Sequence, residues 1–234
     1  MFIILIVLIN LALYLCHSVK NNPIMFKVLR QKSVQTWSRR LHIYSSMVLL
    51  IAMVFFAITG LTLNRPELFV GKPNIDEFII DIPKTLLGAE NQTFQPKKDN
   101  LVNFLKTEGN LKGIPSPLNI YTVIEDGELV EGEVEVDFKG PGYDASVFID
   151  MNISEAEIRI TNHGTIAWLN DLHKGRNTGA IWHIFIDVVS IVMVLFILTG
   201  AILLLPKKKT FATAIKWMGA GTAITISCYY LSFI

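Results

Sequence analysis

The chain alternates between long unbroken apolar runs and one polar, mixed stretch in its middle. Four apolar runs stand out: Met1–Cys16, Leu41–Leu63, Gly179–Leu205 and Trp217–Ile234. The second holds His42 as its only ionisable group. The third holds His183 and Asp187 near its start and no charge after that. A helix needs about 20 apolar residues to cross a bilayer, so the second and third are predicted spans. The first and fourth are shorter and cross with little tilt. The first has no basic residue ahead of its apolar core, and Leu13-Tyr14-Leu15-Cys16 offers no small-residue cleavage site, so it is read as a retained helix.

The middle stretch changes period. Lys98–Glu108 is spaced as an amphipathic helix closed by Gly109. Across Val130–Phe138, Val130, Val134, Val136 and Phe138 alternate with Glu131, Glu133, Glu135 and Asp137, which predicts a strand with one solvated face. Gly140-Pro141-Gly142 turns it, and Ala145–Asp150 and Glu157–Thr161 read as two more strands. Ile166–Lys174 is a predicted helix closed by Gly175 that leads into the third span, while residues 65–97 carry no clear pattern. The predicted fold is a membrane protein of four transmembrane α-helices. A small α+β domain with an antiparallel sheet is inserted between the second helix and the third. The layout is a first helix at 1–17, a basic linker at 18–40, a second helix at 41–64 and the inserted domain at 65–178. The third helix follows at 179–205, then a basic loop at 206–216 and the fourth helix at 217–234.

Composition and charge sharpen this picture. The chain of 234 residues is 51% hydrophobic and only 18% charged, where a soluble domain carries about 25% charged residues. That excludes a disordered chain, a nucleic-acid-binding module and an ordinary cytosolic enzyme. The two cysteines, Cys16 and Cys228, sit in apolar runs and build neither a disulfide framework nor a thiolate metal site. The linker His17–Arg40 holds six basic residues and no acid, and Lys207-Lys208-Lys209 follows the third span. Short basic loops stay in the cytoplasm, which places both termini and the inserted domain outside. From Asn64 to Thr178 there are 11 basic and 19 acidic residues, a net charge of 11 − 19 = −8, which suits a translocated domain. Its glutamates read as a solvated strand face rather than a cation site.

The second and third spans share a pattern. Phe56-Ala57-Ile58-Thr59-Gly60 matches Phe196-Ile197-Leu198-Thr199-Gly200, and His42 and His183 precede the two glycines by 18 and 17 residues. Small Thr-Gly pairs also let helices pack closely, which explains them without chemistry. Because the two spans run in opposite directions, His42 falls at the cytoplasmic end and His183 at the outer end. Asp187 lies four residues after His183 on the same helix face, where it would orient the imidazole or relay a proton. A plain His–Asp pair just below the outer interface is the simpler explanation.

Leu41-His42 with Ile58-Thr59-Gly60, then Phe138-Lys139-Gly140-Pro141-Gly142, then Trp168-Leu169-Asn170-Asp171-Leu172-His173-Lys174-Gly175, then Leu198-Thr199-Gly200, resemble the PepSY-associated transmembrane family over about residues 37–206. The chain is similar to the short forms with one outer, PepSY-like domain. The resemblance implies two functions of different class. Some members are inner-membrane reductases that contain haem b and serve ferric siderophores or electron delivery outside the cytoplasm. The PepSY domain also occurs in peptidase propeptides as an inhibitor or folding aid.

A bis-histidine haem needs two imidazoles at one depth in an apolar bundle. His17 with His42 would form an inner site, and His183 with His173 or His163 an outer one, with Gly175 and Gly179 breaking the helix between them. Interfacial histidines are common helix-end residues, and His163, in Asn162-His163-Gly164, reads as a loop residue. The first expectation is therefore an inner-membrane electron carrier with one or two haems b, ligated by His42, His173, His183 and His17, with Asp187 behind His183. Its donor is a quinone or a cytoplasmic reductase, and its acceptor a ferric chelate or a protein. If it is an enzyme, it is a membrane oxidoreductase of ferric-reductase type. The alternative is a non-catalytic regulatory or accessory subunit, held by membrane lipid in a larger complex, whose acidic outer domain binds a peptidase or another partner. No nucleic acid is expected.

Overall fold

A computed structural model describes residues 27–88, 94–126 and 128–232. The predicted first helix, Cys16 and His17 lie outside the described residues. Two compact units are present, one running to Ala52 and resuming at Val188, the other Met53–Asp187.

Helix α1 (Lys32–Asn64) begins nine residues before its apolar run, because Ser33–Arg40 holds no proline or glycine and is free to continue the helix. Its less exposed positions recur at alternating steps of three and four: Gln35, Ser38, His42, Ser45, Leu49, Ala52, Phe56 and Thr59. That 3.5-residue period is the spacing a helix–helix seam takes, and it falls here largely on small and polar residues, as membrane packing favours. Helix α5 (Ala180–Leu204) carries a matching stripe at Trp182, Ile186, Val189, Met193, Phe196 and Gly200. In the first unit the two helices run antiparallel. Gln35 donates to Ile202 O at 3.1 Å, and one helical turn or two along, His42 meets Phe196 and Thr199. Among the described residues α1 and α5 are the helices long and apolar enough to cross a membrane. Most of the predicted fourth span, 217–234, lies in helix α6 (Lys208–Leu231), a long helix whose apolar stretch is weaker than those of α1 and α5 and which is not among the candidate spans, so four transmembrane helices are more than the structure shows.

The second unit holds an antiparallel sheet. After a single turn α2 (Pro66–Phe69) come β1 (Asn74–Asp81), a 3-10 turn (Lys84–Leu87) and helix α3 (Lys98–Glu108). Then follow β2 (Ile114–Pro115), β3 (Asn119–Glu125), β4 (Glu128–Gly140), β5 (Tyr143–Asp150), β6 (Glu155–Asn162) and helix α4 (Gly164–Lys174). The sheet order is β1-β6-β5-β4-β2, with β3 also on β4. Side chains alternate across each strand. Val134, Val136 and Phe138 of β4 join Val147 and Ile149 of β5 and Leu101 and Leu105 of α3 in one core. The opposite face stays open and carries the predicted row of acids.

One alternating position departs from expectation. Val130 is exposed, because between the pairs Val123–Glu131 and Ile124–Leu129 strand β4 advances two residues while β3 advances one. Val130 is the extra residue of a β-bulge, and Leu129 turns towards the core in its place.

Candidate functional site

Helix α4 is a joint. Three anchors on it, Asn170, Asp171 and His173, reach the end of α1 and the β4–β5 turn within the second unit. Asn170 Oδ1 accepts the Thr62 hydroxyl at 2.6 Å, fixing α4 to the end of α1. Asp171 is buried; its Oδ2 accepts the Gly142 N–H at 2.8 Å, and its Oδ1 takes both Arg176 Nε at 2.9 Å and Arg176 Nη2 at 2.8 Å. His173 Nδ1 lies 2.6 Å from Thr59 Oγ1. The Pro141-Gly142 turn between β4 and β5 lies against the helix: Gly142 has φ +61°, and a Cβ there would stand 2.7 Å from the Trp168 backbone nitrogen. Gly175, left-handed at φ +67°, caps α4, and its N–H bonds back to Leu172 O. The Gly-Pro-Gly turn and the Trp168–Gly175 segment are thus two halves of one contact.

The two Phe-x-x-Thr-Gly boxes each hold a histidine ring. In the first unit His42 stacks on Phe196, with centroids 4.4 Å apart and planes 10° from parallel. Its Nδ1 is 3.1 Å from Phe196 O and 3.2 Å from Thr199 Oγ1. A carbonyl only accepts, so Nδ1 carries the proton. In the second unit His173 meets Phe56 edge-on, with centroids 5.1 Å apart. Thr59 places its own proton on Phe55 O at 2.6 Å and therefore accepts from His173 Nδ1. Both rings are held in one tautomer. When neutral, each presents an Nε2 lone pair with no hydrogen-bond partner among the described residues. The glycines serve the rings: a Cβ on Gly200 would lie 3.1 Å from His42 Cε1, and one on Gly60 3.7 Å from His173 Cε1.

The ring on the 56–60 box is His173, a residue outside the repeat in which His183 is the counterpart of His42. His183 is exposed at the start of α5, and its Nε2 lies 3.4 Å from Thr178 Oγ1. Thr178 donates to Gly175 O, so this contact takes up Nε2 and holds the opposite tautomer. Asp187 is exposed and makes no hydrogen bond to His183. His163, beside the start of α4, pairs through Nε2 with Asp144 Oδ1 at 2.7 Å on the surface. His17 lies outside the described residues. Thr59, Thr199, Asn170 and Asp171 went unassigned as partners in the sequence; the box pattern was the available signal for the two threonines. Among the described residues no group of three or more His, Cys, Asp or Glu forms a metal cage. His42 and His173 instead offer single imidazoles with a fixed Nδ1–H, the form an axial haem ligand takes.

Burial pushes the His173 pKa below its ordinary 6.5, and the neighbouring Lys174 charge lowers it further. The unfolded chain then takes up a proton at this ring before the folded chain does. Its contribution to stability is complete above pH 6.5 and is lost as pH falls. In a histidine NMR titration of the full chain in neutral micelles, the His173 signal is expected to have its midpoint below 6.5. A midpoint at or above that value contradicts the burial.

A family described as PepSY_TM-like matches residues 35–234. Among curated proteins and among solved structures, none matches.

Proposed function

For a chain that belongs to the PepSY_TM-like family and is a membrane protein, we propose electron transfer across the bilayer through histidine-ligated haem b. The observation that carries this reading is the pair of pinned imidazoles. Two different helices deliver a histidine to the same kind of box, each with Nδ1 committed and Nε2 open. Structural histidines have no need of this arrangement twice, whereas an axial ligand needs both features. Haem, when bound, supplies reversible one-electron Fe(III)/Fe(II) chemistry. The chain's own residues orient the ligands: Phe196 and Thr199 hold the His42 ring, and Thr59 holds His173. The opposite directions of the two spans expected from the charge pattern would give the inner and the outer side of the membrane each a station.

The finer parts of the proposal follow the charge pattern. The chain crosses the bacterial inner membrane four times with both termini outside, and α6 supplies the fourth crossing. His17 and His183 are the remaining ligand candidates for the inner and outer stations. The donor is a quinone or a cytoplasmic reductase. The acceptor is a ferric chelate or a protein on the outer side, which makes the chain a membrane oxidoreductase of ferric-reductase type or one subunit of a larger complex.

A reduced-minus-oxidised spectrum of the detergent-purified chain, with a pyridine haemochrome count, tests the reading. About two haems b per chain are expected, one per box. A chain expressed with haem available that shows no Soret band overturns it.

A further inference from the structure

The face of the sheet turned away from the core is uncovered by any described element, and it forms an open groove of ≈ 940 Å³. Cross-strand pairing lays its residues out in rows. Glu135 lies opposite Phe148, Phe148 opposite Glu157, and Glu157 opposite Ile79, so a half-buried aromatic ring sits between two exposed carboxylates with an apolar neighbour beyond. In the next row Glu133, Asp150, Glu155 and Asp81 stand directly opposite one another across four strands. Like charges placed so oppose folding, and each is worth more to an incoming cation. The cation that lines the groove is already engaged: Arg159 Nε lies 3.3 Å from Glu77.

The geometry points to a docking site for an extended cationic segment of a partner protein, laid across β4, β5, β6 and β1 with a guanidinium or ammonium over Phe148. Three strand gaps span about 14 Å, which four or five extended residues cover. A cation above the Phe148 ring gains attraction from the ring face and pairs with Glu135 and Glu157 on either side. Apolar residues of the same segment meet Ile79 and Pro117, which also line the groove. The same face of a second copy does not fit, because it would bring the same excess of carboxylates to the contact. The site is independent of the histidine boxes, so the chain docks its partner with or without haem.

The test is fluorescence anisotropy on the full chain in a neutral detergent, with a fluorescein-labelled Gly-Arg-Val-Arg-Val-Arg-Gly amide as probe. The probe with Glu in place of Arg is the comparison. The Arg probe is expected to bind, and Glu135→Gln with Glu157→Gln to weaken it about tenfold. Phe148→Ala is expected to weaken it severalfold, about as loss of one cation–π contact does. Glu125→Gln with Glu128→Gln removes the same charge at the β3–β4 hairpin tip and is expected to leave binding within about twofold. Spermine at matched charge is expected not to displace the probe. The proposal is overturned if the hairpin-tip variant weakens binding as much as the groove variant, if the Glu probe binds equally, or if spermine competes at matched charge.

Discussion

Asp171→Ala is expected to destabilise the second unit by about 2–4 kcal/mol. The buried carboxylate is the acceptor for the Gly142 N–H. Alanine leaves that amide buried against α4 with nothing to accept its proton, which costs about 1–3 kcal/mol. The side-chain cavity and the loss of the Arg176 contact add to this. The second addition is small, because the Arg176 side chain is 64% exposed and returns to water. Asp171→Asn keeps one carbonyl acceptor and is expected to cost less than half as much. Gly142→Ala attacks the same contact from the other side: it places a Cβ 2.7 Å from the Trp168 nitrogen and strains a φ of +61°. Urea unfolding of the full chain in neutral micelles, followed by tryptophan fluorescence, measures all three. If alanine and asparagine at 171 cost the same, the hydrogen bond to Gly142 is not what holds the turn to the helix.

How far the fold could be read depended on where burial left a mark. Strand β4 was legible because one face is core and the other water, so Val134, Val136 and Phe138 stand out against their acidic neighbours. Helix α3 was legible at both ends because Gly109 stops it and Leu101 and Leu105 fall on one face. Strand β1 was not. It lies at the sheet edge with all of its residues exposed except Ile80, which is half-buried, so burial imposes no alternation on Asn74–Asp81. The spans were plain as apolar runs, yet the seam between them was hidden, since lipid-facing and helix-facing positions are equally apolar. Only the small and polar residues Ser38, Ser45, Thr59 and Thr199 betray it. The histidine boxes were half legible. Both Phe-x-x-Thr-Gly patterns were visible, but His173 reaches Thr59 through a turn at Gly175 that linear spacing does not express.

His42→Ala is expected to remove about one haem equivalent per chain while His173 keeps the other, and His173→Ala to do the converse, since each ring is held by its own box. The glycines make the sharper comparison, because they leave both imidazoles in the sequence. At Gly200 a Cβ alone would lie 3.1 Å from His42 Cε1, so a leucine there must push the ring off Phe196 and away from Thr199. Gly200→Leu is therefore expected to behave as His42→Ala does in the haemochrome count. At Gly60 the same atom would lie 3.7 Å from His173 Cε1, an ordinary contact, so Gly60→Ala is expected to keep the full count. Thr199→Val and Thr59→Val separate holding a ring from providing it. Each removes a hydroxyl that accepts Nδ1–H and makes the imidazole a poorer donor to iron, which is expected to shift the midpoint potential of one haem with the count unchanged. His42 still has Phe196 O as an acceptor, whereas His173 has Thr59 alone, so the larger shift is expected from Thr59→Val. Equal counts in His42→Ala and the parent chain would place the ligand elsewhere and return both boxes to helix packing.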